Sequence, residues 1–367
     1  MTTHFDFSEQ REQSAIKTEI VTKYFDAWST ILSRRFNKIG YIDLYAGPGI
    51  YDDGSISTPI IILQNIIDST SLRSKVIVCL NDKNPSNYEK LQRNVAKLNN
   101  ISLLKYHPKI TNDEINYETP KKFNFPKIPC LCFIDPAGYN GLSLELLKVF
   151  GRDYGSDIIF FFNYNDINRA LSNSRVSKNM QYLFGYKHYH LLNTKISSIS
   201  GQNRESIIVN EMSEAIQDIG MKYVLPFRFK TEGKNRTSHY IIFASKNITG
   251  FNIMKDIMYK IGEKDFNGIG QFEFIPSCDK QFGNQLSIID LFSTPFQEFK
   301  EALYKRYYGK TISMKYLYEY DSPNTRFVSK QYKKALIELE LEGRISCNKP
   351  YTQRRKDTLS DSTIIKF

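Results

Sequence analysis

Three acidic residues at strand ends carry the chemistry this sequence offers. The first is Asp43, inside the apolar run Tyr41-Ile42-Asp43-Leu44-Tyr45-Ala46. Gly47 follows four residues on and Gly49 two further. Glycines at a strand end allow a tight turn and bring backbone amides against a ligand. A dinucleotide site has a third glycine and a helix that starts at once, so that free helix amides meet the pyrophosphate. Here the third glycine is missing and the loop runs on through Tyr51-Asp52-Asp53-Gly54. S-adenosylmethionine (SAM) has no pyrophosphate and tolerates such a loop. Asp43, Tyr45, Gly47 and Gly49 are therefore expected to hold SAM. A plain strand-ending turn accounts for the glycine pair equally well when the pair is taken alone.

Asp82 closes the next apolar run, where an acid can accept hydrogen bonds from ribose hydroxyls. The alternative is a helix-entry residue ahead of Pro85. Asp113, in the third loop, is placed to contact the adenine side or to sit in a solvated turn. The third acid is in Phe133-Ile134-Asp135-Pro136-Ala137-Gly138-Tyr139. Amino-directed methyltransferases carry D/N/S-P-P-aromatic at this strand end. The polar side chain and the carbonyl beside proline accept hydrogen bonds from the target amine, which aims its lone pair at the methyl group. The aromatic residue stacks on a flipped base. Asp135, Pro136 and Tyr139 are the candidate catalytic residues. Ala137-Gly138 replace the second proline and Tyr139 stands one place late, so a structural Asp-Pro turn stays open as an alternative.

The elements that must position these acids alternate. Apolar residues at helical spacing give a helix over about Gln13 to Arg35. Strands are expected at Tyr41–Ala46, Lys75–Leu80, Ile101–Tyr106, Cys130–Ile134 and Asp157–Phe162, with helices between them. Ser57-Thr58-Pro59 reads as a helix cap with proline in the first turn. Helical sequence then runs to about Gly220, interrupted near Gly185 and 198–201. Tyr223–Phe229 and His239–Ala244 form a hairpin. Such alternation predicts an α/β fold, a Rossmann-like class I methyltransferase core with a mainly parallel seven-stranded sheet. Ligands bind such sheets at the carboxyl ends of the strands, where all three acids lie. Asn163, Asn165 and Asn168-Arg169 follow the fifth strand and either line an acceptor pocket or cap the next helix. His188 and His190 read as a partly exposed helix face rather than as a metal pair.

The chain of 367 residues carries a net charge of +11, which favours a polyanionic partner, nucleic acid first. Residues 294–367 hold 15 Lys and Arg against 9 Asp and Glu, so +6 of that excess falls in a fifth of the length. Three helices and a two-stranded wing are expected there, with Gly343 ending the third helix. The domains are thus 1–290, the SAM-binding core, and 291–367, a basic winged-helix-like domain. Lys330, Lys333 and Lys334 on its third helix, and Arg354, Arg355 and Lys356 at the wing tip, are the candidate phosphate contacts. The five cysteines form no CxxC pair and no His cluster accompanies them, so neither a zinc site nor a disulfide framework is expected. Free core thiols fit a reducing cytoplasm. No signal peptide is expected from residues 1–8, and no apolar run approaches a membrane span.

The motifs, in order, resemble the three-Cys-motif partner (TcmP) family. They are Tyr41-Ile-Asp-Leu-Tyr-Ala-Gly-Pro-Gly49, the Asp53-Gly-Ser55 loop with Pro59, Asp82-Lys83-Asn84-Pro85, Phe133-Ile-Asp-Pro-Ala-Gly138, Ile167-Asn-Arg-Ala-Leu171, Tyr223-Val-Leu-Pro-Phe227, His239-Tyr-Ile-Ile-Phe-Ala244 and Ile253-Met-Lys-Asp-Ile-Met258. The match covers about Lys17 to Met258. Asp82 stands where relatives tend to have Glu, and Ala137 where they often have Phe. The resemblance implies a separate three-cysteine protein of radical-SAM appearance as partner. The combined expectation is a SAM-dependent methyltransferase acting on nucleic acid. Its rivals are a catalytically silent adaptor of the same fold and a methyltransferase of proteins or small molecules.

Overall fold

The computed structural model describes residues 7–122, 127–197, 202–231, 236–264, 270–275 and 296–367. In chain order the first elements are α1 (Phe7–Leu32), β1 (Ile39–Asp43), α2 (Thr58–Asp68), β2 (Val76–Asn81), α3 (Pro85–Ala96), β3 (Lys109–Thr111) and α4 (Thr119–Lys122). Next come β4 (Cys130–Ile134), α5 (Leu144–Gly151), β5 (Asp157–Phe162), α6 (Tyr164–Ala170), α7 (Ser177–Ile196) and α8 (Gln202–Asp218). The hairpin β6 (Tyr223–Lys230) and β7 (Thr237–Ser245), helix α9 (Ile248–Ile261) and the short β8 (Glu273–Phe274) follow. The remainder is α10 (Phe296–Tyr307), β9 (Thr311–Ser313), α11 (Met314–Asp321), α12 (Ser329–Leu341), β10 (Ser346–Cys347) and β11 (Ile364–Lys366).

One sheet has the order β3-β2-β1-β4-β5-β7-β6-β8. Its first five strands are parallel and β7 runs antiparallel between β5 and β6. β1 and β4 are buried at every position, as strands covered on both faces must be, which is why they read as unbroken apolar runs. The order reverses between β1 and β4, so the crevice at a topological switch point lies above their carboxyl ends. Asp43 is in register with Leu80 of β2 and Phe133 of β4, which brings the three acidic ends side by side.

The α/β expectation holds, with two corrections. The sheet has eight strands, because the two-residue β8 joins it. A strand that short leaves no periodicity to read. The third strand is Lys109–Thr111, and Ile101–Leu103 is a 3-10 turn entered through left-handed Asn100. The apolar run there packs a turn rather than crossing the sheet. α7 bends at Gly185, whose φ of 73° breaks the helical path as the sequence suggested. Residues 198–201, the second expected interruption, lie outside the described residues.

The chain divides into two compact units, residues 1–254 with 274–282 and residues 255–273 with 283–367. The expected border at 290/291 lies outside the described residues. Residues 255–273 go with the second unit rather than the first. Lys255 shows why: its buried ammonium donates to the carbonyls of Ser322, Thr325 and Phe327 at 2.7, 2.7 and 2.8 Å. The order α10-β9-α11-α12-β10-β11, with a three-stranded sheet β10-β11-β9, is that of a winged helix. Only the first strand of that sheet was not legible. Its core contains Phe299, Leu303, Leu317, Tyr332, Leu336 and Ile365. Gly343 ends α12 at φ 72°, with Arg344 N reaching Leu339 O at 3.0 Å.

Candidate cofactor and acceptor site

The β1 turn is built on left-handed backbone geometry that strongly favours glycine. Gly47 and Gly49 have φ of 66° and 84°. A Cβ on Gly49 would stand 3.1 Å from Leu91 and 3.2 Å from Ile60, so the turn also lets α2 and α3 close in. Asp82 locks this turn. Its Oδ2 accepts the Gly47 amide at 2.9 Å, and its Oδ1 accepts the Asn84 amide at 2.8 Å. The helix-entry reading of Asp82 therefore applies, since it braces the entry to α3, and the same carboxylate also ties the glycine turn. Oδ2 also accepts the Asn87 side-chain amide at 3.4 Å, so Oδ1 is the oxygen with a second lone pair for a further donor.

Asp43 is almost fully buried beneath the turn. Its Oδ1 accepts the Tyr45 amide at 3.0 Å and its Oδ2 the Tyr41 hydroxyl at 3.4 Å. Burial pushes its carboxyl up to about 7; the Tyr45 amide opposes the rise and the charges of Asp135 and Asp82 add to it. Asp113 works through its backbone, whose amide and carbonyl bond the Asn81 side chain at 2.9 and 3.0 Å while its carboxylate stays exposed. Asn81 also donates to Leu44 O at 3.1 Å, tying the end of β1 to the third loop. A cavity of about 470 Å³ opens here, bordered by Asp43, Asn81, Asp113, Ile115 and Asn116. It falls within the ~300–1,000 Å³ usual for small-molecule sites.

Asp135 ends β4 with its Oδ2 paired to Lys17 of α1 at 2.8 Å. The Lys17 ammonium also lies 4.6 Å from the centre of the Phe161 ring. His239, stacked on Phe229 at 4.4 Å, is held well below its ordinary pKa by burial and, secondarily, by Lys17. Pro136 is buried and Tyr139 packs partly against the main core. Tyr139 is thus half-buried, with part of its ring held by the core. Asn163 caps α6 and bonds Asp166, and Asn168 accepts from Arg204 at 2.8 Å, so capping and packing account for both.

Sequence reasoning missed Lys17, Asn81, Ser57 and Tyr51 as site residues. Lys17 carried a signal: it continues the buried stripe of Val21, Tyr24 and Trp28 toward the start of α1, where a charge needs a partner. Ser57 stands at the α2 cap position but its side chain makes no cap bond. Its hydroxyl and that of Tyr45 are shielded from solvent with no hydrogen-bond partner among the described residues.

The histidine reading needs a correction. His188 is buried, with Nδ1 at 2.7 Å from Glu211 and Nε2 at 2.9 Å from Asp218, while His190 is exposed. His188, Glu211 and Glu214 could group around an ion. Lys195 already pairs with Glu211 at 2.6 Å, so these side chains clasp α7 to α8.

On the winged helix, Lys330, Arg355 and Lys356 are exposed. Lys333 pairs with Asp361 at 2.7 Å, and Lys334 lies 4.7 Å over the Phe296 ring. Arg354 is corrected: its side chain is 5 % exposed and pairs with Glu340. The wing folds this arginine inward, so it is not presented to phosphate. The acids of α12 are spent inside the unit too, Glu338 and Glu342 on Lys300 and Glu342 also on Arg344. Glu338 also stands 4.0 Å from Lys334, so of the candidate cations Lys330, Arg355 and Lys356 are the ones with no ion pair among the described residues.

Residues 273–351 match a family described as the GMT-like wHTH domain. No curated protein matches the chain. Similar solved structures include protein LPL1258 of Legionella pneumophila, at 12 % identity over 68 % of this chain and 88 % of that one, TM-score 0.42. The fibrillarin pre-rRNA processing protein of Methanococcus jannaschii is 12 % identical over 57 % and 66 %, TM-score 0.33. The METTL16 methyltransferase domain is 12 % identical over 61 % and 66 %, TM-score 0.31. These likenesses are distant, and the strand order and site geometry stand without them. No helix among the described residues is long and apolar enough to cross a membrane.

Proposed function

We propose that this chain is a SAM-dependent methyltransferase that modifies nucleic acid, with the winged-helix unit holding the phosphate backbone. One observation carries the reading: Asp43, Asp82 and Asp135 gather about the glycine turn at the switch point of the sheet, with Lys17 paired to Asp135 and Lys109 on the border of the cavity. That donor set fits a cationic nucleoside and opposes a pyrophosphate. The two unpartnered hydroxyls of Tyr45 and Ser57 at the same turn add unused polar groups to the fit.

Asp43, Tyr45, Gly47, Gly49 and Asp82 would hold the cofactor, with Asp113 at the adenine side. When bound, SAM supplies an electrophilic methyl group. The chain's own part is positioning. Lys17 occupies Oδ2 of Asp135, which leaves Oδ1 to accept a hydrogen bond from the acceptor's amino group. The carbonyl beside Pro136 would accept a second, so the nitrogen lone pair is aimed rather than activated. Tyr139 would stack on the base. The amine gives up its surplus proton after transfer, through Asp135 Oδ1 to water.

The TcmP resemblance supports a further reading, that a three-Cys-motif protein of radical-SAM appearance binds this chain; co-purification of the two tests it. Cys79, Cys130, Cys132 and Cys347 are free thiols, which supports a reducing cytoplasm. A silent adaptor is favoured by one observation, the Lys17–Asp135 pair, which engages the acid that an amine would need. Incubation with methyl-labelled SAM and total RNA, DNA and protein, with and without the partner, separates the two. Label in nucleic acid supports the enzyme, whereas tight SAM binding without transfer under either condition supports the adaptor.

A further inference from the structure

The segment between the glycine turn and α2 is a small flap. Ile50 and Ile56 form an antiparallel bridge. Tyr51 N donates to Ser55 O, and Gly54 N to Tyr51 O, both at 2.9 Å. Asp53 accepts from the Ser55 amide at 2.9 Å and from its hydroxyl at 2.6 Å, and Gly54 supplies the reversal at φ 84°. Asp52 ties the tip to α3 through Lys90 at 2.7 Å.

Tyr51 reaches from this flap into the acid-ringed space. Its hydroxyl lies 3.3 Å from where a Cβ on Gly47 would stand. Burial raises its pKa first, and the charges of Asp135, Asp43 and Asp82 raise it further, so the phenol stays neutral among all three acids. No described residue is hydrogen-bonded to the hydroxyl. The flap's apolar side chains, Ile50, Tyr51 and Ile56, are 37 %, 44 % and 51 % exposed, so little packing holds it down.

We propose that Tyr51 is a cofactor-contacting residue, the phenol of a flap that closes bound SAM against Gly47 and sets how long the cofactor stays. The inference rests on the SAM reading above. An aromatic face beside a desolvated cation is attractive, and the ring of acids draws the cation to that place. The flap must lift for the cofactor to enter, because the phenol covers the glycine turn in this structure. Loops of this kind commonly control ligand release.

The test is SAM and S-adenosylhomocysteine binding to the full chain by calorimetry and stopped-flow. Tyr51→Ala should raise the SAM dissociation rate on the order of 10-fold, with a smaller change in association. Tyr51→Phe, which keeps the ring, should stay within about 3-fold of the parent. Asp52→Asn frees the tip without touching the pocket and should speed dissociation by a smaller factor than Tyr51→Ala. Unchanged dissociation in both Tyr51→Ala and Asp52→Asn overturns the proposal. Tighter and faster binding by Tyr51→Ala also overturns it, and makes the phenol a plug that competes with the cofactor. If the parent chain binds no SAM, the functional reading falls and this inference with it; a parent that binds and a Tyr51→Ala that binds equally removes only the role of Tyr51.

Discussion

Under the proposed function, Asp43 should couple cofactor binding to a titration. In the free protein, burial and the neighbouring carboxylates place its pKa at about 7. A cationic cofactor beside it favours the ionised form, so binding should expel the proton. If only ionised Asp43 binds well, apparent affinity scales with the ionised fraction. That fraction rises about 10-fold from pH 6 to pH 8 for a pKa of about 7, or roughly 1.4 kcal/mol. Calorimetry at pH 6, 7 and 8, in two buffers of different ionisation enthalpy, measures both the affinity and the protons released. About 0.9 proton should leave at pH 6 and about 0.1 at pH 8. Asp43→Asn keeps an acceptor for the Tyr45 amide and subtracts any titration of the cofactor's own amine. Linkage has the opposite sign for the free protein. A carboxyl raised in the folded state contributes stability below its unfolded pKa, and that contribution is lost as pH rises through about 7. Unchanged SAM affinity across this range, or the same profile in Asp43→Asn, would refute the reasoning.

Three further outcomes are expected. Asp135→Ala, which removes the acceptor oxygen altogether, should abolish methyl transfer while SAM affinity stays within about 3-fold, because the proposed role of the acid is to address the acceptor rather than the cofactor; loss of binding instead would move Asp135 into the cofactor site. Replacing Lys330, Arg355 and Lys356 together by alanine should weaken duplex binding and lower the salt slope by up to about 2.7, or ~0.9 per contact, whereas Arg354→Ala should act mainly on stability because its partner Glu340 is internal. Equal slopes in the triple variant and the parent would show that the wing is not the grip. Lys255→Met strands three carbonyls and should destabilise the second unit by about 1–3 kcal/mol, read by urea unfolding of the full chain; an unchanged midpoint would mean that water replaces the ammonium without loss.

Much of the core was legible because doubly covered strands write continuous apolar runs and put their polar residues at the carboxyl ends. Asp43, Asp82 and Asp135 stood out for that reason, and the register of β1 with β2 and β4 brings them together. What stayed hidden depends on long-range contact. The partner of Asp135 is 118 positions away, on a helix whose face could be read but whose docking could not. Asn81 gave no sign that it staples β1 to the third loop, since its four bonds arise only once three strands are aligned. Arg354 read as a free wing-tip cation because its acid, Glu340, lies on α12, and no local pattern pairs them. β8 and β9 are two and three residues long, too short to show a period.

The most direct test of the central claim is transfer of labelled methyl from SAM to nucleic acid by the full chain, with and without the proposed three-Cys-motif partner. The account predicts label in nucleic acid with the parent chain, none with Asp135→Ala, and calorimetric SAM binding by both. Saturable SAM binding with no label in RNA or DNA under any of these conditions, or a chain that binds no SAM at all, would contradict it.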